Sequence, residues 1–180
     1  MKTPRKTTLS AALVALALLS AFAADQPTPK EVQQKEMKKL DWLVGHWKGS
    51  GSIQMGPQGR HEFIQSETIE AKLDGLVMVI EGLGKAKEDG STVHEALAFI
   101  SFDHRAKTFR WHAFTPEGQI DTEAKVGTDT LEWSLQIPQR GRMRYTITRN
   151  DKGEWVEIGE MSQEDQTWRK FFEMTLRKEK

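Results

Sequence analysis

Five histidines, His46, His61, His94, His104 and His112, and no cysteine stand in the 180-residue chain. Imidazoles hold transition metals, but no two of these stand in an H-x-H or H-x-x-x-H spacing. They are therefore read as ordinary strand and turn residues, and no metal site is expected. Without thiols, cysteine nucleophiles and thiolate metal sites are excluded. The carboxylates Glu67, Glu70, Glu157 and Glu160 have the chemistry of acid–base pairs. They fall in segments of alternating polarity, where charged side chains belong on a solvated face, and that is the reading taken. No G-x-S-x-G elbow, phosphate-cradling glycine loop or nucleophile–base pair accompanies them, so no enzymatic activity is expected.

Binding chemistry is better supplied. In "GRMRYTIT", Arg142 and Arg144 alternate with Met143 and Tyr145. One reading turns an arginine inward to hold a ligand carboxylate. The other, which is favoured, sets a basic outer face over an inner Met/Tyr face. The candidate ligand-binding residues are Met78, Phe99, Phe109, Trp111, Trp133, Met143, Arg144, Tyr145, Trp155 and Phe172, with Trp168 and Met174 adding to the apolar supply. Such side chains either line an apolar cavity or simply fill an interior. Both parities are apolar in "LVMVIEG" and "ALAFISF", so which of them point inward is only partly readable.

These residues need an architecture to converge. Thr28, Pro29 and Glu31 form a capping box with proline at the first helical position. Val32, Met37, Leu40, Leu43 and Val44 follow roughly along one side, predicting an amphipathic helical segment over 29–44. From Gly45 the period becomes two. Turn signals such as "LDG", "KEDG", "PEG" and "NDKG" divide the rest into ten strands, approximately Gly45–Gln54, Arg60–Lys72, Leu76–Lys85, Thr92–Phe102, Thr108–Thr115, Gln119–Val126, Thr130–Ile137, Arg142–Arg149, Glu154–Met161 and Trp168–Arg177. No segment between them has the length of a crossover helix, which argues against a parallel sheet. Ten strands with two free edges are an association hazard that closure removes. The prediction is an all-β, up-and-down antiparallel barrel of about ten strands over 45–178, with one short N-terminal helix. A two-sheet sandwich is the rival, but no connection is long enough for its Greek-key crossing.

The N-terminus reads as an export signal. Lys2, Arg5 and Lys6 precede the apolar run Leu9–Phe22, and Ala21-Phe22-Ala23 is an A-x-A cleavage site. The run is shorter than the roughly 20 residues of a spanning helix. Residues 1–23 are thus expected to be removed, leaving residues 24–28 as a linker and no membrane span. Cleavage leaves 23 Lys and Arg against 26 Asp and Glu, so nothing electrostatic recommends nucleic acid as a partner. An exported domain without disulfides suits a bacterial periplasm or a secreted form. Oligomeric state is not encoded legibly.

Where the closing strands meet, "LDWLVGHWKGSGS" supplies Gly45-x-Trp47 followed by Gly49 and Gly51. Here the chain resembles the calycin group, the lipocalins with their fatty-acid-binding and nitrobindin-like relatives. "WLVGHWKGSG", "LDGLVMVIEG" and "WRKFFEMTLRK" are similar to an uncharacterised lipocalin-like family of exported bacterial proteins. The resemblance implies that Trp47 plugs the barrel floor, with Gly45 allowing close approach and Arg177 as the partner of the indole; parity leaves the orientation of Arg177 open. Gly49 and Gly51 fit a strand that bends sharply. Nitrobindin-like relatives bind haem through a histidine late in the barrel, a position without a histidine here, so no cofactor is expected and haem is a lesser alternative. The expected function is non-catalytic binding of a small hydrophobic or amphipathic molecule inside the barrel. The remaining alternative is a cavity-free structural or interaction module.

Overall fold

A computed structural model describes residues 26–54, 59–164 and 166–180. The expected export signal over 1–23 lies outside the described residues. The chain opens with helix α1, Pro29–Met37, whose capping box is formed as read: Thr28 Oγ1 accepts from the Glu31 N–H while the Glu31 carboxylate accepts from the Thr28 N–H. The continuous helix expected to 44 instead tightens into a 3-10 turn, Lys38–Leu43. That turn drives Leu40 and Leu43, both fully buried, into the end of the barrel beside Met37. Polar contacts tie the helix to two hairpin turns: Gln34 Nε2 donates to the Asp74 carbonyl at 2.7 Å, Lys30 pairs with the Asp74 carboxylate, and Gln33 meets His104 Nδ1 at 3.1 Å.

Ten strands follow: β1 Gly45–Ile53, β2 His61–Lys72, β3 Val77–Ala86, β4 Thr92–Asp103, β5 Thr108–Thr115, β6 Gly118–Gly127, β7 Thr130–Ile137, β8 Gly141–Arg149, β9 Trp155–Ser162 and β10 Arg169–Lys178. Each pairs antiparallel with its sequence neighbour, and β1 pairs with β10 to close the barrel. The sandwich alternative therefore falls. Closure runs in register from Trp47 opposite Lys178 to Ile53 opposite Phe172.

The glycines of β1 explain how the seam bends. A Cβ on Gly49 would lie 2.0 Å from the Thr175 carbonyl oxygen, and one on Gly51 would lie 2.5 Å from that of Glu173. The β10 backbone occupies the space a side chain would need, so these positions accept only hydrogen. Trp47 corks the helix end. It is 1% exposed, donates its indole N–H to the Leu43 carbonyl at 2.6 Å, and meets Trp155 edge-on at 5.9 Å. Leu131, Ile147, Ile100 and Leu176 pack the same lower layer with at most 1% exposure.

Arg177 is not the partner of Trp47. Its side chain points outward and pairs with Glu154, because alternation along β10 turns Leu176 inward and its neighbour out. Lys178 takes that place, with Nζ 5.1 Å from the Trp47 ring centre and its stem against Gly45.

Candidate functional site

Above the packed floor the barrel is hollow. A cavity of about 330 Å³ lies between the Trp47–Trp155 layer and the opposite rim, at the small end of ligand-sized pockets. One wall is aromatic. Trp111 on β5 stacks on Trp133 of β7 with ring centres 5.1 Å apart, and Trp133 stacks on Tyr145 of β8 at 4.4 Å. Phe172 meets Tyr145 edge-on at 5.8 Å and lies 5.7 Å from Phe63 of β2, nearly parallel to it. The sheet's alternation accounts for this wall: these residues occupy inward positions on strands whose opposite face carries Arg110, Glu132 and Arg144.

The other wall is polar and built on glycine. Gln65 and Glu67 point inward from β2, being 2% and 7% exposed. Their register partners on β3 are Gly84 and Gly82. A Cβ at Gly82 would stand 2.8 Å from both Glu67 carboxylate oxygens, and one at Gly84 would stand 2.6 Å from the Gln65 carbonyl oxygen. Glycine thus makes room for each polar head. Gly159 on β9 does the same for Tyr145 and Phe172, whose atoms would lie about 3 Å from its Cβ. Glu157, 8% exposed, enters from β9.

Hydrogen bonds cover half of each carboxyl group. Gln65 Nε2 donates to Glu67 Oε1 at 2.7 Å, and the Trp155 indole N–H donates to Glu157 Oε2 at 3.2 Å. Among the described residues, the second oxygen of each and the Tyr145 hydroxyl have no hydrogen-bond partner, and all three residues line the cavity. Burial without a countercharge favours the neutral acid. It raises Glu67 to about 7, against the pull of the Gln65 bond. Glu157 rises to about 8, through burial first and repulsion from Glu67 second. The two titrate as a pair that keeps a proton at neutral pH. Burial, and then the charge of Glu157, also push the Tyr145 phenol above its ordinary range.

His94 sits at the rim beside Val93. The residue is exposed at this open end, yet the surrounding walls desolvate the ring enough to lower its pKa, with Glu117 opposing. It is the one histidine lining the cavity among the described residues; His46, His61, His104 and His112 lie elsewhere, and no metal-holding cluster is found there either. A haem fits poorly. Among the described residues no lysine or arginine lines the cavity to meet its propionates, and the space is that of a much smaller molecule.

Trp111, Trp133, Tyr145, Trp155 and Phe172 therefore line the cavity as anticipated, with Met174 beside them. Met78, Phe109 and Met143 point inward but pack the ends of the barrel away from it. Two candidates are corrected. Phe99 lies on the outer face against Phe114, because Ala98 and Ile100 take the inward positions of β4. Arg144 also points outward, bonded to Glu160 at 2.6 Å with its guanidinium 4.1 Å over the Trp168 ring. Glu67 and Glu157 correct the opposite expectation: read as solvated, they are the interior's polar core. Glu70 is exposed as expected and pairs with Lys72. A signal for Glu67 was present in "VIEGLGKA", where inward Gly82 and Gly84 face inward Glu67 and Gln65 across a hairpin; Glu157, between Ile147 and Met174, had none.

No curated protein matches the chain. Among solved structures, the crystal structure of Rv2717c from M. tuberculosis is similar, with TM-score 0.60 and 14% identity over 80% of this chain and 97% of that one, a likeness of fold alone. The family described as "Protein of unknown function (DUF1579)" matches residues 32–178, from within helix α1 through all ten strands. The chain is a member of that family, a ten-stranded barrel closed around an interior chamber.

Proposed function

We propose that this barrel binds a small apolar or amphipathic molecule in its interior, without catalysis, and that it does so after export through the signal read at residues 1–23. The cavity carries the reading: about 330 Å³ bounded by stacked rings on one side and by incompletely bonded acids on the other. A barrel serving only as a structural module gains nothing from leaving such a space empty, since each unfilled volume forfeits dispersion contacts. Burying Glu67 and Glu157 without countercharges also opposes folding, an arrangement expected where binding rather than stability has shaped the interior. The ligand's body would lie along Trp111, Trp133 and Phe172, its polar end toward Glu67 and Glu157.

The reading is tested by titrating the purified protein with N-phenyl-1-naphthylamine, an apolar fluorophore, and extracting the protein for mass spectrometry. Saturable enhancement at one site per chain, displaced by a co-purified small molecule, is the expected result. A probe that stays dark and an extract without any small molecule would refute interior binding.

A further inference from the structure

We propose that the chamber selects organic cations, molecules with a protonated amine on a small apolar body. The inference rests on the interior-binding reading and names the ligand's charge. Three features of the chamber point to it.

The first is the sign of its ionisable groups. Glu67, Glu157 and Tyr145 face it from β2, β9 and β8, and His94 stands at the rim on β4. The inward positions of β1, β3 and β10 at this level are glycine or apolar. Lys178 lies at the Trp47 floor, 5.1 Å from its ring centre, and is not among the residues lining the chamber. An anionic ligand would find no countercharge here, and would meet repulsion once either acid ionised.

The second is an imbalance of hydrogen-bonding capacity. The unbonded oxygen of Glu67 and of Glu157 is a pure acceptor in the carboxylate; in the neutral acid it carries the proton and donates. One of the two Gln65 amide N–H groups is already given to Glu67. The unbonded indole N–H groups of Trp111 and Trp133 are themselves buried rather than presented to the chamber. Once the acids ionise, their free oxygens outnumber the Tyr145 hydroxyl as a donor, and an ammonium group brings three donors to them.

The third is the facing wall. Trp111, Trp133 and Tyr145 stack on one another, 5.1 and 4.4 Å apart, and give that side an apolar surface for the ligand's body rather than a second polar group.

Charge balance then fixes a pH signature. In the empty chamber at neutral pH the pair holds a proton. When R–NH₃⁺ enters, one glutamic acid gives its proton to solvent and the resulting carboxylate pairs with the ammonium, so binding releases up to one proton. Amine affinity must rise with pH, by up to about tenfold per unit while the pair is protonated.

The test uses three probes of one shape: 2-phenylethylamine, 2-phenylethanol and phenylacetate. Each is titrated into the purified protein at pH 5.5, 7 and 8.5, reading tryptophan fluorescence and the calorimetric heat in two buffers of different ionisation enthalpy. The amine should bind most tightly at pH 8.5, weaken at least tenfold at pH 5.5, and release a proton that the buffers register. Glu157→Gln should weaken amine binding at pH 8.5 at least tenfold, and adding Glu67→Gln should flatten its pH profile. Glu81→Gln, on the outer face of β3, is the control for surface charge. Alcohol or phenylacetate binding as tightly as amine at pH 8.5 overturns the cation inference while leaving interior binding intact. So does N-phenyl-1-naphthylamine binding without any amine binding. If none of the four probes binds, both readings fall together.

Discussion

The two ends of the barrel interior obey opposite rules. At the floor, Trp47, Leu40, Leu43, Leu131 and Leu176 are at most 1% exposed, and the one polar group, the Trp47 indole N–H, is satisfied at 2.6 Å by the Leu43 carbonyl. In the chamber, glycines hold space open, two acids are buried with half their bonds unmade, and about 330 Å³ is unfilled. The floor follows what a stable core requires, dense packing and bonded polar atoms, with the Trp42 indole N–H at its edge the one donor left without a partner among the described residues there. The chamber departs from both requirements in one place, and a concentrated departure is where function is to be sought.

Four perturbations sharpen or break this contrast. The largest effect belongs to the floor. Trp47→Ala should destabilise the protein by about 3–5 kcal/mol in denaturant unfolding, since it removes a buried ring and leaves a cavity under the helix. A loss below about 1 kcal/mol would mean that the cork is not structural.

The acids come next, and their sign is opposite to that of most carboxylates. Folded values of about 7 and 8 stand above the ordinary 4.5, so the folded state holds more protons between those limits. Their unfavourable contribution is absent below about pH 4.5, grows as pH rises, and is complete above about pH 8. Glu67→Gln and Glu157→Gln should each raise stability at pH 8 by on the order of a few kcal/mol and change little at pH 4.5. Chemical denaturation at the two pH values reads this directly. Equal effects at both would show that the carboxyls are already ionised when folded.

Gly82→Ala is a smaller change to the chamber alone. Its methyl group would press on the Glu67 carboxyl at 2.8 Å, a movable side chain rather than backbone. About 1 kcal/mol should be lost, and the titration of Glu67, followed by carboxyl ¹³C NMR, should move. An unmoved titration would separate the glycine from the role given to it. Smallest is Arg177→Ala. Its guanidinium is 81% exposed and reaches only Glu154, so a change of at most about 1 kcal/mol is expected. A floor-sized loss would return Arg177 to the structural role that the calycin resemblance implied.

Strand number, order, closure and the Trp47 floor were readable because each rests on local signals: turn dipeptides, period two, and a Gly-x-Trp at the seam. The chamber was less readable, for three physical reasons. In "HEFIQSETIEAK" both faces carry polar residues, so alternation could not tell that Gln65 and Glu67 share the inner face with Phe63 and Ile69. In "ALAFISF" both faces are apolar, which put Phe99 inside when it is out. Along β10 a register irregularity between Lys170 and Phe172 interrupts the count, so the orientation of Arg177 could not be carried through from the strand's start. Buried carboxyls oppose the rule that charge is solvated; the glycine opposite Glu67 announces one exception, while Glu157, flanked by Ile147 and Met174, carries no such mark.

Filling the chamber tests the account most directly. Ala98 lines it from β4 and is 3% exposed. Ala98→Phe should occupy the space while the protein still unfolds cooperatively, and should abolish the saturable N-phenyl-1-naphthylamine signal that the unmodified chain gives. Probe binding that survives in a folded Ala98→Phe variant would place the ligand somewhere other than the interior and contradict the central claim.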